Sequence, residues 1–575
     1  MGNILLKNGR VIDVIENRIE KKDIAISGRV IALPDEKLEY DEVIDLDNAF
    51  VGPGFIDGHL HIESSMLSPV EFSFEAVKHG TTSIFVDPHE IANVLGRKGV
   101  ELFLDMAPVL PLEMNIGIPS CVPATHLETS GGEITLTDIE QLLPHPCVYG
   151  LAEMMNFPGI IHGLGDARRK VDLVLSKGKI VDGHCPGLSG KDLEAYISNG
   201  KKDGQVRIGS DHECTGAEEA LEKMEKGMYV MLRQGSSSKD LENILPEVAR
   251  TCYSLDSFGL VSDDLSACDL KKRGHINHLV SIAAGIIESE TENTEKEAAI
   301  EAIAMATLNH ARYFGKNTGK IEPGADADII VFNTLSRIEP DIVLSKGNIV
   351  VRDKKVVRDK PLFDLSGYRH SVILPEKVAD KLMVSSDNEK EKVRIIKARR
   401  NSLVTGQEIT EMEVDAGVIT PDPGKGIHKI AVIERHKGTG NISVGFVKGF
   451  EFTKGAIAGT VAHDSHNLIV VGTSEVFMIK AIGIIRDRGG GIAVVSEEGE
   501  AYVPLALAGL MSTKSIDEFV SEHERLEAFL EKTGFKEDPF PTLSFMALPV
   551  IPELKITDKG LVDVATFDFV DLFVK

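Results

Sequence analysis

Eight short apolar runs, separated by about 20 to 35 residues, constrain this chain more than any other feature. They end near His61, Asp87, Cys121, Glu153, His184, His212, Arg233 and Asp263. Each interval holds a helix and two loops, so the pattern is eight strand–helix units in a row. Repeated βα units favour parallel pairing with helices outside, and eight of them make a (β/α)8 TIM-type barrel the economical expectation. Two helix starts are legible in this stretch. Ser68-Pro69-Val70-Glu71 reads as an N-cap, a first-turn Pro and a capping-box Glu, with Gly80 closing the helix; Thr215 to Glu218 repeats the T-x-x-E box.

The flanks have a different texture. Residues 1–50 and the stretch 319–360 alternate polar and apolar in short runs broken by glycines, as antiparallel sheet does. The expected organisation is therefore a β-rich side domain from 1–50 and 311–370, a barrel over 51–310, a polar linker over 371–400, and a C-terminal α/β domain over 401–575.

Charge and cysteine usage narrow the partners. A formal net charge of −26 repels phosphate backbones and anionic lipid, so neither nucleic acid nor a membrane surface is an expected partner. Six cysteines, no two closer than sixteen positions, offer neither a disulfide framework nor a CxxC metal knuckle. The N-terminal residues lack signal-peptide features and no apolar stretch reaches membrane-spanning length, which makes a cytoplasmic location the expectation.

The chemistry concentrates at the strand ends. In Gly54-Phe55-Ile56-Asp57-Gly58-His59-Leu60-His61 the two histidines are two apart and project from the same face of one strand. Glu153, His184, His212 and Asp263 each terminate a different run. Four imidazoles and two carboxylates converging at one mouth would be costly if left unpaired in the interior. Two divalent ions bridged by one carboxylate would compensate them together. Asp87 and His89 project as a pair from the second strand. They suit proton shuttling or substrate contact, or equally a hydrogen-bonding pair behind the ligands. Arg233 and Ser236 end the seventh strand and offer donors to a heterocycle, with an ion pair the alternative for the Arg. His463 and His466, in AHDSHN, either cap the substrate at the barrel mouth or satisfy a turn.

PGFIDGHLHIES together with the downstream Glu, His, His and Asp resembles the amidohydrolase superfamily of metal-dependent hydrolases. HIESSM (61–66), VDPHEIANVLG (86–96), LAEMMNFPG (151–159), DGHCPGLSG (182–190) and SDHECT (210–215) are similar, more narrowly, to the bacterial and archaeal adenine deaminases. VAHDSHNLIVVGT (461–473) and PLALAGLMS (504–512) extend that likeness into the C-terminal part. The resemblance implies that His59, His61 and Asp263 hold one metal, that Glu153 bridges, and that His184 and His212 hold the second. It further implies a homo-oligomer and purine salvage: hydrolysis of adenine at C6 to hypoxanthine and ammonia. Such donors suit manganese or iron first, with zinc the alternative, and Asp263, placed beside both water and the substrate carbon, is the expected carrier of the proton. Asp264 would point to the opposite face from Asp263 if the strand continued past it.

A pyrimidine- or imidazolone-directed hydrolase and a metal-free scaffold are the competing readings; the scaffold predicts missing ligands, and none of the six is missing. His61-Ile62-Glu63 matches the first half of the zinc deaminase signature, but no PCxxC follows. A P-loop, a dinucleotide fingerprint after a strand and a GxSxG elbow are also absent.

Overall fold

The structure is a computed structural model that describes every residue except 1, 36–38, 400–401, 536–537 and 575. All eight expected strands form where the apolar runs placed them: β1 (Phe55–Leu60), β2 (Thr81–Val86), β3 (Glu113–Ile118), β4 (Val148–Met154), β5 (Ile180–Gly183), β6 (Ser210–Asp211), β7 (Tyr229–Arg233) and β8 (Phe258–Val261). β1, β2, β7 and β8 are buried throughout, as parallel strands covered on both faces must be, which is why their sequences read as continuous apolar runs.

The eight strands form a curled parallel arrangement in two arcs, β5-β4-β3-β2-β1 and β6-β7-β8. Backbone bonds join the arcs at both ends. Asp263 N–H donates to the His59 carbonyl at 3.1 Å and His61 N–H to the Asp263 carbonyl at 3.1 Å, while Gly209 N–H reaches the Val181 carbonyl at 3.0 Å. The first of these seams lies at the ends of β1 and β8, where two candidate ligands and a third from across the sheet are brought side by side.

The flanks meet in one nine-stranded sheet. Strand Phe50–Pro53 pairs antiparallel with Ile329–Phe332, which knits the segment before the curled sheet to the segment after it. Residues 384–504 build a separate ten-stranded sheet, and 554–570 a three-stranded one. A single apolar cluster runs from Leu60 and Ile62 at the end of β1 through to Ile430, Val432 and Phe519 of the C-terminal part. The C-terminal part therefore packs directly on the mouth of the curled sheet.

Three local expectations change. The polar stretch 371–400 is not uniformly a linker: Lys390–Lys397 is a strand, paired on one side with Gly406–Asp415 and on the other with Ile442–Lys448. Val393, Ile395 and Ile396 bury their side chains there while the charged neighbours face outward, so high charge on one face concealed a strand. Helix α1 (Pro69–Ala76) does take its cap from Ser68, whose Oγ accepts Glu71 N–H at 3.3 Å, and Gly80 ends the following turn at φ +88°. Glu71, however, leaves the capping box to accept Ile516 N–H at 3.1 Å and pair with Lys360 at 2.6 Å, tying α1 to the C-terminal part. The T-x-x-E box at Thr215 does not form; α3 (Ala217–Glu225) starts from Gly216 without a side-chain cap. Between them in the chain, α2 (His89–Leu95) opens directly after β2.

Gly58 separates Asp57 from His59 because nothing larger fits: a Cβ there would lie 2.4 Å from the buried ring of His310. Gly58→Ala is expected to destabilise the protein by about 1–3 kcal/mol through overpacking. It should also lower bound metal, since β1 must shift with His59 on it; thermal unfolding and elemental analysis measure the two effects.

Candidate metal centre

β1 ends by placing His59 and His61 with their Nε2 atoms 3.3 Å apart. His61 Nδ1–H donates to the Asp87 carbonyl at 3.0 Å, which fixes the tautomer and leaves the Nε2 lone pair facing the cluster. β8 delivers Asp263, and here the backbone departs from a strand: Asp263 has φ +54°. That left-handed turn brings Asp263 Oδ1 to 3.4 Å from His61 Nε2 and 3.7 Å from His59 Nε2.

Glu153, from the end of β4, lies between the histidines. Its Oε1 is 3.7 Å from His61 Nε2 and 3.4 Å from His89 Nδ1, and its Oε2 is 3.0 Å from His212 Nε2 and 2.7 Å from His184 Nδ1. The His59 and His212 rings stack at 3.8 Å. All six expected ligands are thus within one cluster. His184 is the most accessible of them, its side chain 21% exposed where Glu153 is 3%. Asp87 and His89 belong to the same cluster: ligand atoms of His61, Asp87, His89 and Glu153 lie within 4.8 Å of one another, as do those of His59, His61 and Asp263, and of His59, Glu153 and His212.

Neighbours hold these groups in place. Asp57, wholly buried between His59 and β8, accepts from Ser262 Oγ at 2.5 Å and Ser262 N–H at 3.2 Å. Behind His184 and His212, the buried Lys223 ammonium donates to Asp211 at 2.9 Å and to the Cys185 carbonyl at 2.8 Å, while Asp211 also accepts Cys185 N–H at 2.7 Å. Arg233 reaches Asp263 Oδ2 at 3.2 Å and Asp240 at 2.7 Å, and it pairs with Glu213. The Arg233 guanidinium thus faces carboxylates of this same chain. Ser236 donates to Asp269 at 2.6 Å and accepts Ser266 N–H at 2.9 Å on the wall of a cavity of about 260 Å³.

His463 and His466 reach that cavity from the C-terminal part. His463 Nδ1 lies 2.7 Å from Glu90 Oε1, and His466 Nε2 contacts Glu90 Oε2. His466 also accepts Ala462 N–H at Nδ1 across 3.1 Å, so this one histidine both satisfies its turn and meets the mouth. Sequence reasoning passed over Glu90, because an acidic residue in the first turn of α2 reads as a helix-dipole partner. Its position directly after His89 was the available signal. Asp264, instead of pointing away from Asp263, lines the cavity and accepts from Ser64 Oγ. The alternation stops because the left-handed Asp263 ends the strand.

The electrostatics follow from burial and pairing. Burial, helped by the charges of His212 and His61, holds the His59 imidazole well below its ordinary pKa. His212 is pushed up to about 9, burial being outweighed by its hydrogen bond and charge interaction with Glu153. Against the same burial, His184 and His212 hold the Glu153 carboxyl well below the usual range, and His61 and Arg233 do so for Asp263. Asp87 Oδ1 is buried with no hydrogen-bond partner among the described residues. Imidazole nitrogens, carboxylate oxygens and an orphaned buried oxygen are the donor set of a divalent-metal site.

A cluster of candidate metal ligands at the C-terminal ends of curled parallel strands fits a metal-dependent enzyme, and the family match makes the class that of the amidohydrolases. Residues 50–357 match the amidohydrolase family, and 402–568 match the adenine deaminase C-terminal domain. The chain is 43% identical to the adenine deaminase of Desulfatibacillum aliphaticivorans across 99% of this chain and 97% of that protein. It is 41% identical to adenine deaminase 2 of Carboxydothermus hydrogenoformans over 99% and 96%, and 39% identical to the adenine deaminase of Methanothrix thermoacetophila over 100% and 97%. The chain belongs to the adenine deaminase family.

Arg233→Ala leaves Asp263, Asp240 and Glu213 without their shared cation. Breaking a buried pair in this way is expected to cost ~3–5 kcal/mol, which chemical denaturation will measure. Arg233→Lys, which keeps the charge but cannot reach three carboxylates at once, should recover only part of it.

Proposed function

We infer that the cluster is the reaction centre of a hydrolytic deaminase. The chain is an adenine aminohydrolase: adenine and water become hypoxanthine and ammonia. The observation that carries this reading is that one chain joins the buried His–carboxylate cluster to the C-terminal domain of the adenine deaminases, whose residues reach the same mouth. Relatives bearing the adenine name match over nearly the whole chain, so a pyrimidine or imidazolone ring is not favoured.

In this reading His59, His61 and Asp263 would hold one divalent ion and His184 and His212 another, with Glu153 shared between the two sets; manganese, iron and zinc all suit such donors. Divalent ions there, when bound, acidify water so that hydrolysis runs at neutral pH. Asp263 accepts the proton that water loses and returns it to the exocyclic nitrogen as it departs from C6. Arg233 occupies Asp263 Oδ2, which directs Oδ1 toward the cluster. Asp87 and His89, hydrogen-bonded at 3.2 Å beside Glu153, form the route by which a proton leaves or enters. Glu90 holds His463 and His466 as the cap over the cavity, with Ser236 on its wall.

The wider reading has a closed (β/α)8 barrel over 51–310, a side domain from 1–50 and 311–370, and a C-terminal domain over 401–575 whose sheet also takes in the strand Lys390–Lys397 from the preceding segment. It is completed by a cytoplasmic homo-oligomer serving purine salvage, with no nucleic-acid or membrane partner. No helix among the described residues is long and apolar enough to cross a membrane.

Metal-reconstituted protein should release ammonia and hypoxanthine from adenine in equal amounts and carry about two divalent ions per chain. Asp263→Asn should lower turnover by at least ~10²–10⁴-fold while the protein still unfolds cooperatively. Full activity in that variant would remove Asp263 from the proton path.

A further inference from the structure

The cavity beside the cluster, lined by Glu90 and Asp264 on one side and by His463 and His466 of the C-terminal part on the other, holds a carboxylate that none of the assigned roles uses. Glu63 lines it, only 4% exposed. Its Oε1 accepts the Ile91 N–H of α2 at 3.1 Å. Its Oε2 is buried with no hydrogen-bond partner among the described residues. The two nearby cavity carboxylates are engaged: Glu90 by His463 and His466, and Asp264 by Ser64. An unmatched buried oxygen costs roughly 1–3 kcal/mol, and in a ligand cavity that cost is relieved when the ligand supplies the donor.

We propose that Glu63 Oε2 accepts the ring N–H of the five-membered ring of adenine and thereby selects the free base over its nucleosides. The proposal rests on adenine as the substrate. Free adenine carries two kinds of N–H donor: the exocyclic amine and a single N–H on the imidazole ring. The amine sits on C6, the carbon that water attacks, so it faces the metal cluster. The imidazole N–H is left to face the remaining wall, where the Glu63 oxygen waits without a donor. In a nucleoside that nitrogen bears carbon, so the oxygen stays unpaired and the sugar must also be housed. Sites built to hydrogen-bond a substrate N–H reject analogues lacking it far more strongly than apolar pockets reject added bulk.

Glu63→Gln separates hydrogen bonding from size. Glutamine has one acceptor oxygen where two are required, for Ile91 N–H and for the purine. With the carbonyl capping Ile91, the amide presents a donor to the ligand. The experiment is calorimetric titration of the metal-loaded wild type and the Gln variant with purine and with 9-methylpurine, which has no ring N–H. Wild type is expected to bind purine at least ~100-fold more tightly than 9-methylpurine. In the Gln variant the ratio should fall below about tenfold, through weaker purine binding. A merely structural role, capping α2, would weaken both ligands equally and leave the ratio alone.

A wild-type ratio under about tenfold overturns the proposal, whether or not the variant folds. So does an unchanged ratio in a Gln variant that still unfolds cooperatively. Adenine turnover by the same wild-type preparation is the separate control. If ammonia is not released, the adenine reading fails on its own evidence; if it is released and the ratios do not move, only Glu63 is removed.

Discussion

The structure depends on compensating buried charge at the ends of its parallel strands. Glu153 and Asp263 are nearly inaccessible, and of the four imidazoles around them only His184 is partly exposed. Such groups remain in an interior only when each charge finds an opposite partner or a cation. Glu153 meets that requirement by turning one oxygen toward His61 and the other toward His184 and His212. This two-sided placement is also what a bridging ligand needs, so the stability requirement and the chemical one coincide.

Much of the surrounding sequence serves to keep those groups still. Asp57 ties β1 to β8 through Ser262. Lys223 and Asp211 lock the segment that carries His184 and His212. Arg233 restrains Asp263 from the side away from the imidazoles. These are buried, hydrogen-bonded pairs, which rigidify when complete and penalise the loss of any member. The C-terminal part adds a second layer: Glu90 receives two histidines from across the cavity, and Glu71 leaves its own helix cap to hold Ile516. Docking of that part on the mouth turns an open strand-end site into an enclosed one, where electrostatic interactions are stronger.

The eight strands and the six residues that converge at their ends were legible because each rests on short-range rules. Burial on both faces makes an apolar run, and a period of two puts His59 and His61 on one side. What escaped the sequence rested on longer-range choices. Lys390–Lys397 looked like a linker because its charged face hid Val393, Ile395 and Ile396, whose burial needs two partner strands. Glu71 and Thr215 carried valid capping signatures, yet tertiary partners or a neighbouring glycine took the cap.

By itself the sequence determined the order of strands, the residue types at their ends and therefore the metal chemistry, since those follow from local periodicity and donor identity. Only the tertiary structure decided which groups face the cavity. The left-handed turn at Asp263 brought Asp264 inward, three carboxylates claimed Arg233, and Glu90 captured His463 and His466 from 376 positions away in the chain for the latter. Glu63 was left with one oxygen unpaired. Apart from the position of Glu90 next to His89, none of these has a local signal, because each is fixed by which distant surface arrives to meet it.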